Sequence, residues 1–269
     1  MPGNCGSRLI PQSQYSESFF EGIRADSEAA ARVIVPMLNQ LLSTPPRSVI
    51  DVGCGVGAFL AEFSRFGVSD FLGVDGSWVP VGSLSISPDR FRALNLEQPL
   101  QIGRRFDLVI CLEVAEHLEK ISSDSIVKSL VNLAPVVLFS AAVPGQTGVN
   151  HLNCQWPDYW ARKFRAYNYV PVDALRDRLT PNPDVASWYA QNTLLYIERS
   201  FLQTQRALLP YWDPTVARVP IKIRVMPHYA FAYRVMNALP PLPREWSYFW
   251  SLSLTERLRK FLSGGTHRR

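Results

Sequence analysis

Asp51 is followed by Gly53, Gly55 and Gly57 in alternation, directly after the apolar residues Val49 and Ile50. Glycines at this spacing let a strand turn sharply into a helix and let a ligand approach the backbone closely. Asp75, about one βα unit later, closes a second short apolar run, residues 71–74. An acid in that place accepts hydrogen bonds from ribose hydroxyls. Together these residues imply a nucleotide-like ligand without naming it, because Gly53, Gly55 and Ala58 also satisfy the relaxed dinucleotide fingerprint. Two histidines add proton chemistry near neutral pH. His117 lies in the run EVAEHL, and His151 in a stretch, residues 143–156, whose Gly, Asn and Gln content is too polar for a core.

These groups need a strand–turn–helix frame, and the pattern supplies one. Residues 48–52 read as a first strand, and the helix after the glycines keeps Phe59, Leu60, Phe63 and Phe66 on one face. Further candidate strands fall at residues 71–74, 93–96, 106–118 and 136–140. Helix, strand and helix follow, and residues 193–197 read as a final strand. This alternation describes an α/β fold, a doubly wound and mostly parallel sheet with its ligand at the carboxyl ends of the strands. Ahead of it, residues 1–46 form an N-terminal segment with the aromatics Tyr15, Phe19 and Phe20. A helix is expected there over residues 26–42, capped by Asp26 or Ser27 and kinked at Pro36.

Four motifs in this order, DVGCGVG, GVDGS, LNL and FDLVICLEVAEHL, resemble those of the class I S-adenosylmethionine-dependent methyltransferases. The resemblance covers residues 47–199 and implies a Rossmann-like sheet of seven strands, the last one antiparallel, under an N-terminal helical lid. It implies S-adenosylmethionine as the cofactor. Asp51, beside Gly53, Gly55 and Gly57, is then placed to meet the cationic amino group, and Asp75 the ribose. Asn95 stands where the family usually carries aspartate beside the adenine; its amide oxygen still accepts a hydrogen bond, without the charge. Backbone groups of Leu96, Cys111 and Leu112 complete the expected cradle. Cys111 itself reads as a buried strand-end residue, since the carbon-methylating RNA enzymes that use a cysteine here place proline before it and this chain has Ile110.

Methyl transfer is an in-line displacement, so the protein must align an acceptor lone pair and remove a proton where the acceptor carries one. His151 is the expected general base, with His117 in support. The Glu-His pair containing His117 also occurs in ubiquinone-type O-methyltransferases. Asn153 and Gln155 are placed to orient substrate hydroxyls, Trp156 to floor the pocket, and Tyr15 to close it. Glu113 and Glu116 suit either the site or a solvent-facing helix start. They stand too close together for the paired acids of arginine methyltransferases, and the Asn/Asp-Pro-Pro-aromatic signature of base N-methylation is absent from residues 111–114. No metal-ligand cluster is legible, and no metal is expected. The expected reaction is O-methylation of a small-molecule, glycan-like or lipid-linked hydroxyl, with N- or C-methylation of a small metabolite as the alternative. A nicotinamide oxidoreductase or a non-catalytic module on the same fold stays open, although nothing resembles a Tyr-x-x-x-Lys constellation.

The chain of 269 residues is 47% hydrophobic, enough for one large domain with an appendage. Cys5, Cys54, Cys111 and Cys154 lack metal-ligand spacing and read as reduced thiols. Residues 1–10 lack an apolar signal core and no apolar run reaches membrane-spanning length, so a cytoplasmic protein is expected. Residues 200–269 are different: prolines interrupt them, aromatics alternate with arginines and lysines, and residues 252–262 form a plausible amphipathic helix. That composition suits an acceptor-binding cap or peripheral contact with an anionic membrane, rather than duplex nucleic acid.

Overall fold

The computed structural model describes residues 17–146, 148–216, 218–220 and 222. A long helix α1 (Glu17–Leu41) precedes strand β1 (Ser48–Val52), helix α2 (Ala58–Arg65) and strands β2 (Asp70–Asp75), β3 (Phe91–Ala93) and β4 (Leu108–Leu112). Then come α3 (Ser123–Leu133), β5 (Val136–Ser140), α4 (Pro157–Arg165), β6 (Tyr169–Val172), α5 (Arg176–Leu179), α6 (Ser187–Asn192), β7 (Leu194–Glu198) and α7 (Arg199–Leu202). The seven strands form one sheet in the order β3-β2-β1-β4-β5-β7-β6, with β7 antiparallel to both its neighbours and the other pairs parallel. This is the α/β sheet that the motifs implied.

Strand alternation divides the core into two layers. Leu108, Ile110 and Leu112 pack with Ile34, Leu38 and Phe63 from α1 and α2, while Val109 and Cys111 pack with Ile126, Leu130 and Trp160 from α3 and α4. A parallel sheet covered on both faces reads as near-continuous apolar runs, as β4 and β5 do. The chain order reverses between β1 and β4, so loops from the carboxyl ends of these strands diverge and leave a crevice there.

Several boundaries differ from the sequence reading. Helix α1 starts nine residues before Asp26, so Asp26 and Ser27 lie inside it and cap nothing; Ser27 Oγ instead lies 3.2 Å from Tyr189 Oη of α6. Pro36 is accommodated within the helix. Strand β3 ends at Ala93 rather than spanning residues 93–96, because its pairing aligns Gly73 with Phe91 and Asp75 with Ala93. Strand β4 stops at Leu112 because Glu113 takes a left-handed φ of +53°, which ends the ladder. No helix starts at Glu113; α3 begins only at Ser123. Tyr15, Cys5 and residues 252–262 lie outside the described residues, as do the side chains of Phe19 and Phe20. The described part of the C-terminal segment packs on the domain, with Leu202, Leu208 and Val219 buried. Among the described residues, no helix is long and apolar enough to cross a membrane.

Candidate active site

One cavity of about 1180 Å³ opens at the carboxyl ends of β1, β2 and β4. Small-ligand sites are usually about 300–1,000 Å³, so this one has room for two ligands. The glycine turn shows how the backbone shapes it. Gly53 adopts φ +82° and a Cβ there would strike Val114. Gly55 adopts φ +51° with open space where a Cβ would stand, and it lines the cavity. Gly57 serves packing instead. At φ +84° it leads into α2, a Cβ would meet Ile86 at 3.0 Å, and it does not line the cavity.

Asp51 and Asp75 both line the cavity and both are buried. Burial, and then the Asp75 charge, push the Asp51 carboxyl well above its ordinary pKa. Burial also raises Asp75, opposed by hydrogen bonds from the amides of Gly55 (2.8 Å) and Gly76 (2.6 Å) and from Trp78. Each Asp75 oxygen still has a lone pair to offer a hydroxyl. Asn95 and Leu96 line the cavity too, but the Asn95 amide oxygen already accepts from the Glu97 amide at 3.0 Å. Leu112 lines it and Cys111 does not; successive side chains point to opposite faces of a strand, which turns Cys111 into the core beneath α3. Burial keeps that thiol protonated.

The same cavity holds a cluster of acids and histidines. Past β4 come Glu113, Glu116 and His117; from the loop after β5 come Gln146, Gly148 and His151. Strands β4 and β5 are parallel neighbours, Cys111 facing Phe139, so their following loops meet. The Glu113 amide donates to the Ser140 carbonyl and hydroxyl. Its carboxylate accepts from Gln146 Nε2 at 2.8 Å and from Asn192 Nδ2 at 3.1 Å. Burial raises the pKa of Glu113 against these bonds, and raises that of Glu116 further, with the Glu113 charge adding to it. The His117 and His151 rings meet edge to face, centroids 5.0 Å apart. Burial, then the neighbouring His151, lower His117 to about 4; burial lowers His151 as well, so both imidazoles are neutral at pH 7. A Cβ at Gly148 would occupy the place of the His151 ring.

Other expected contacts lie elsewhere. Asn153 is 2% exposed and donates to Ser123 Oγ at 3.0 Å, while Gln155 donates to the Asn153 amide oxygen at 2.9 Å. Neither lines the cavity, nor does Trp156, which immediately precedes α4. Their amides are spent on holding the loop, an outcome that polar composition alone does not distinguish from substrate binding. The cavity wall that the sequence reading missed comes from α1 and α6: Ile23, Ser27, Trp188 and Tyr189. Asn192, likewise unforeseen, joins Glu113 to Gln146 by donating to both.

A doubly wound seven-stranded sheet, with Asp51 and Asp75 at the carboxyl ends of β1 and β2 and a glycine turn at its switch point, has the class I methyltransferase architecture. The sequence matches the family described as methyltransferase domain over residues 25–181, and the chain belongs to that family. It is similar to a ubiquinone biosynthesis O-methyltransferase of Rhizobium rhizogenes, 36% identical over 75 residues, 26% of this chain and 30% of that protein. A second ubiquinone biosynthesis O-methyltransferase, from Rhodopseudomonas palustris, is 27% identical over 101 residues, 36% of this chain and 40% of that protein. The matches thus span well under half of those relatives. The sugar N-methyltransferase KedS8 from Streptoalloteichus shares the fold, with TM-score 0.50 and 17% identity over 74% of this chain and 97% of its own.

Proposed function

We propose that this methyltransferase transfers the methyl group of S-adenosylmethionine to a hydroxyl oxygen of a small or glycan-like acceptor. The residues fit the cofactor. Asp51 is a buried carboxylate that an ammonium group would return to its charged form, Gly55 leaves space for close approach, and Asp75 has lone pairs for ribose hydroxyls. Bound there, the cofactor supplies a methyl group: the acceptor oxygen's lone pair forms the O–CH3 bond, the S–CH3 pair stays on sulfur, and the hydroxyl proton is released.

The observation that carries the acceptor reading is the cluster of Glu113, Glu116, His117 and His151 in the same cavity as Asp51 and Asp75. Such a cluster can orient a hydroxyl and ease the loss of its proton. The relatives named as O-methyltransferases support oxygen as the acceptor atom. The test is a panel of phenols, sugars and amines incubated with labelled cofactor, with products identified by mass spectrometry. Label on oxygen supports the reading, and label only on nitrogen or carbon refutes it. His151→Gln should bind S-adenosylmethionine within about twofold of wild type while turnover falls at least a hundredfold, roughly the least that loss of proton-transfer assistance costs.

A further inference from the structure

Glu116, His117 and His151 each offer one donor atom to a common space, and these atoms lie within 4.8 Å of one another. All three residues line the cavity. Glu116 is fully buried, yet no hydrogen bond of normal geometry reaches either carboxylate oxygen from the described residues; the amides of Glu116 itself and Ala142 and the carboxyl of Glu113 approach it. A buried carboxylate without good partners needs a proton, an opposite charge or a metal ion. Glu113, held by Gln146 and Asn192, contributes a second acid beside it.

We propose that Glu116, His117 and His151 bind a divalent first-row metal ion of the Mn²⁺, Co²⁺ or Zn²⁺ kind, which takes the acceptor hydroxyl on an open coordination position. Two imidazoles with one carboxylate favour these ions, whereas Mg²⁺ and Ca²⁺ prefer all-oxygen sites. Two atoms each about 2.1 Å from an ion are at most about 4.2 Å apart, so donor atoms separated by as much as 4.8 Å close by a few tenths of an ångström on binding. The local construction allows that: His151 sits on a loop, and Gly148 leaves its ring the space. The ion's use rests on the hydroxyl reading above; its binding does not. A metal-held hydroxyl is acidified and its proton leaves to solvent. In this arrangement His151 is a ligand, which replaces the general-base role expected from the sequence.

The test uses the full-length protein, freed of metal by a chelator and titrated calorimetrically with MnCl₂, CoCl₂ and ZnCl₂, with visible absorption reading the cobalt form. One ion per chain is expected. Glu116→Gln and His151→Ala should each weaken binding more than about a hundredfold, beyond the loss caused by removing an outer-shell partner. Asp75→Ala should keep metal binding while losing cofactor affinity. A wild type that binds none of the three ions saturably overturns the proposal, as do variants that bind like wild type. His151→Ala keeps the test decisive if Glu116→Gln does not fold. Metal binding with no hydroxyl product sinks the hydroxyl reading alone. Full-rate hydroxyl methylation by metal-free protein sinks the ion's role in the reaction alone.

Discussion

Replacing Gly53, Gly55 and Gly57 one at a time by alanine separates three roles that the motif merges. A non-glycine residue in left-handed conformation costs about 1–2 kcal/mol, and all three sites incur it. At Gly55 nothing more is added, because its Cβ would enter open space. At Gly57 the new methyl meets Ile86 at 3.0–3.2 Å, and overpacking of that kind costs a further 1–3 kcal/mol, roughly. Gly53→Ala is worse, since its Cβ would overlap Val114. Urea unfolding should therefore rank stability as wild type, then Gly55→Ala, then Gly57→Ala, then Gly53→Ala. Calorimetric binding of S-adenosylhomocysteine should give a different order. Gly55→Ala puts its methyl in the cavity and should lose affinity by about tenfold or more, equivalent to 1.4 kcal/mol. Folded Gly57→Ala should bind within about threefold of wild type, because Gly57 does not line the cavity. If Gly55→Ala binds normally while Gly57→Ala does not, the cofactor lies elsewhere.

Asp75→Ala should weaken cofactor binding by about 1.5–3 kcal/mol, the range for hydrogen bonds to a charged group, measured by calorimetry. It should also destabilise the fold, since the Gly55 and Gly76 amides lose their acceptor. Buried Arg176 is held by Asp173 at 2.9 and 2.7 Å, so Asp173→Asn should cost about 3 kcal/mol in urea unfolding. Burial alone would raise the Asp173 pKa, but Arg176 and Lys222 outweigh it and hold the carboxyl below its ordinary value. Its contribution is therefore complete above the ordinary carboxylate range and is lost as pH falls through the lowered value. Wild type should lose stability in that acid window more steeply than Asp173→Asn. For the basic, aromatic residues 200–269, co-sedimentation with anionic liposomes should exceed binding to duplex DNA at equal salt. Tight and steeply salt-dependent DNA binding without lipid binding would reverse that proposal.

The sheet and the glycine turn that borders its cavity are legible in the amino-acid order. The glycine turn, Asp51 and Asp75 can be read there because left-handed turns and strand-end acids are local properties, written in contiguous residues. Even so, which glycine has open space where a Cβ would stand and which has Ile86 or Val114 there depends on neighbours that a motif does not contain. Cys111 shows the same limit, since the side-chain direction follows from the phase of β4 in the sheet. The cluster of acids and histidines is a product of the folded chain. Glu116 and His117 meet His151 only because β4 and β5 lie side by side and their following loops converge, and Asn192 reaches Glu113 from α6. The burial that sets the Glu116 carboxylate beside Glu113, away from solvent, exists only after that convergence. Composition marks residues 143–156 as polar, but the fold decides that Asn153 and Gln155 hold the loop while His151 faces the cavity.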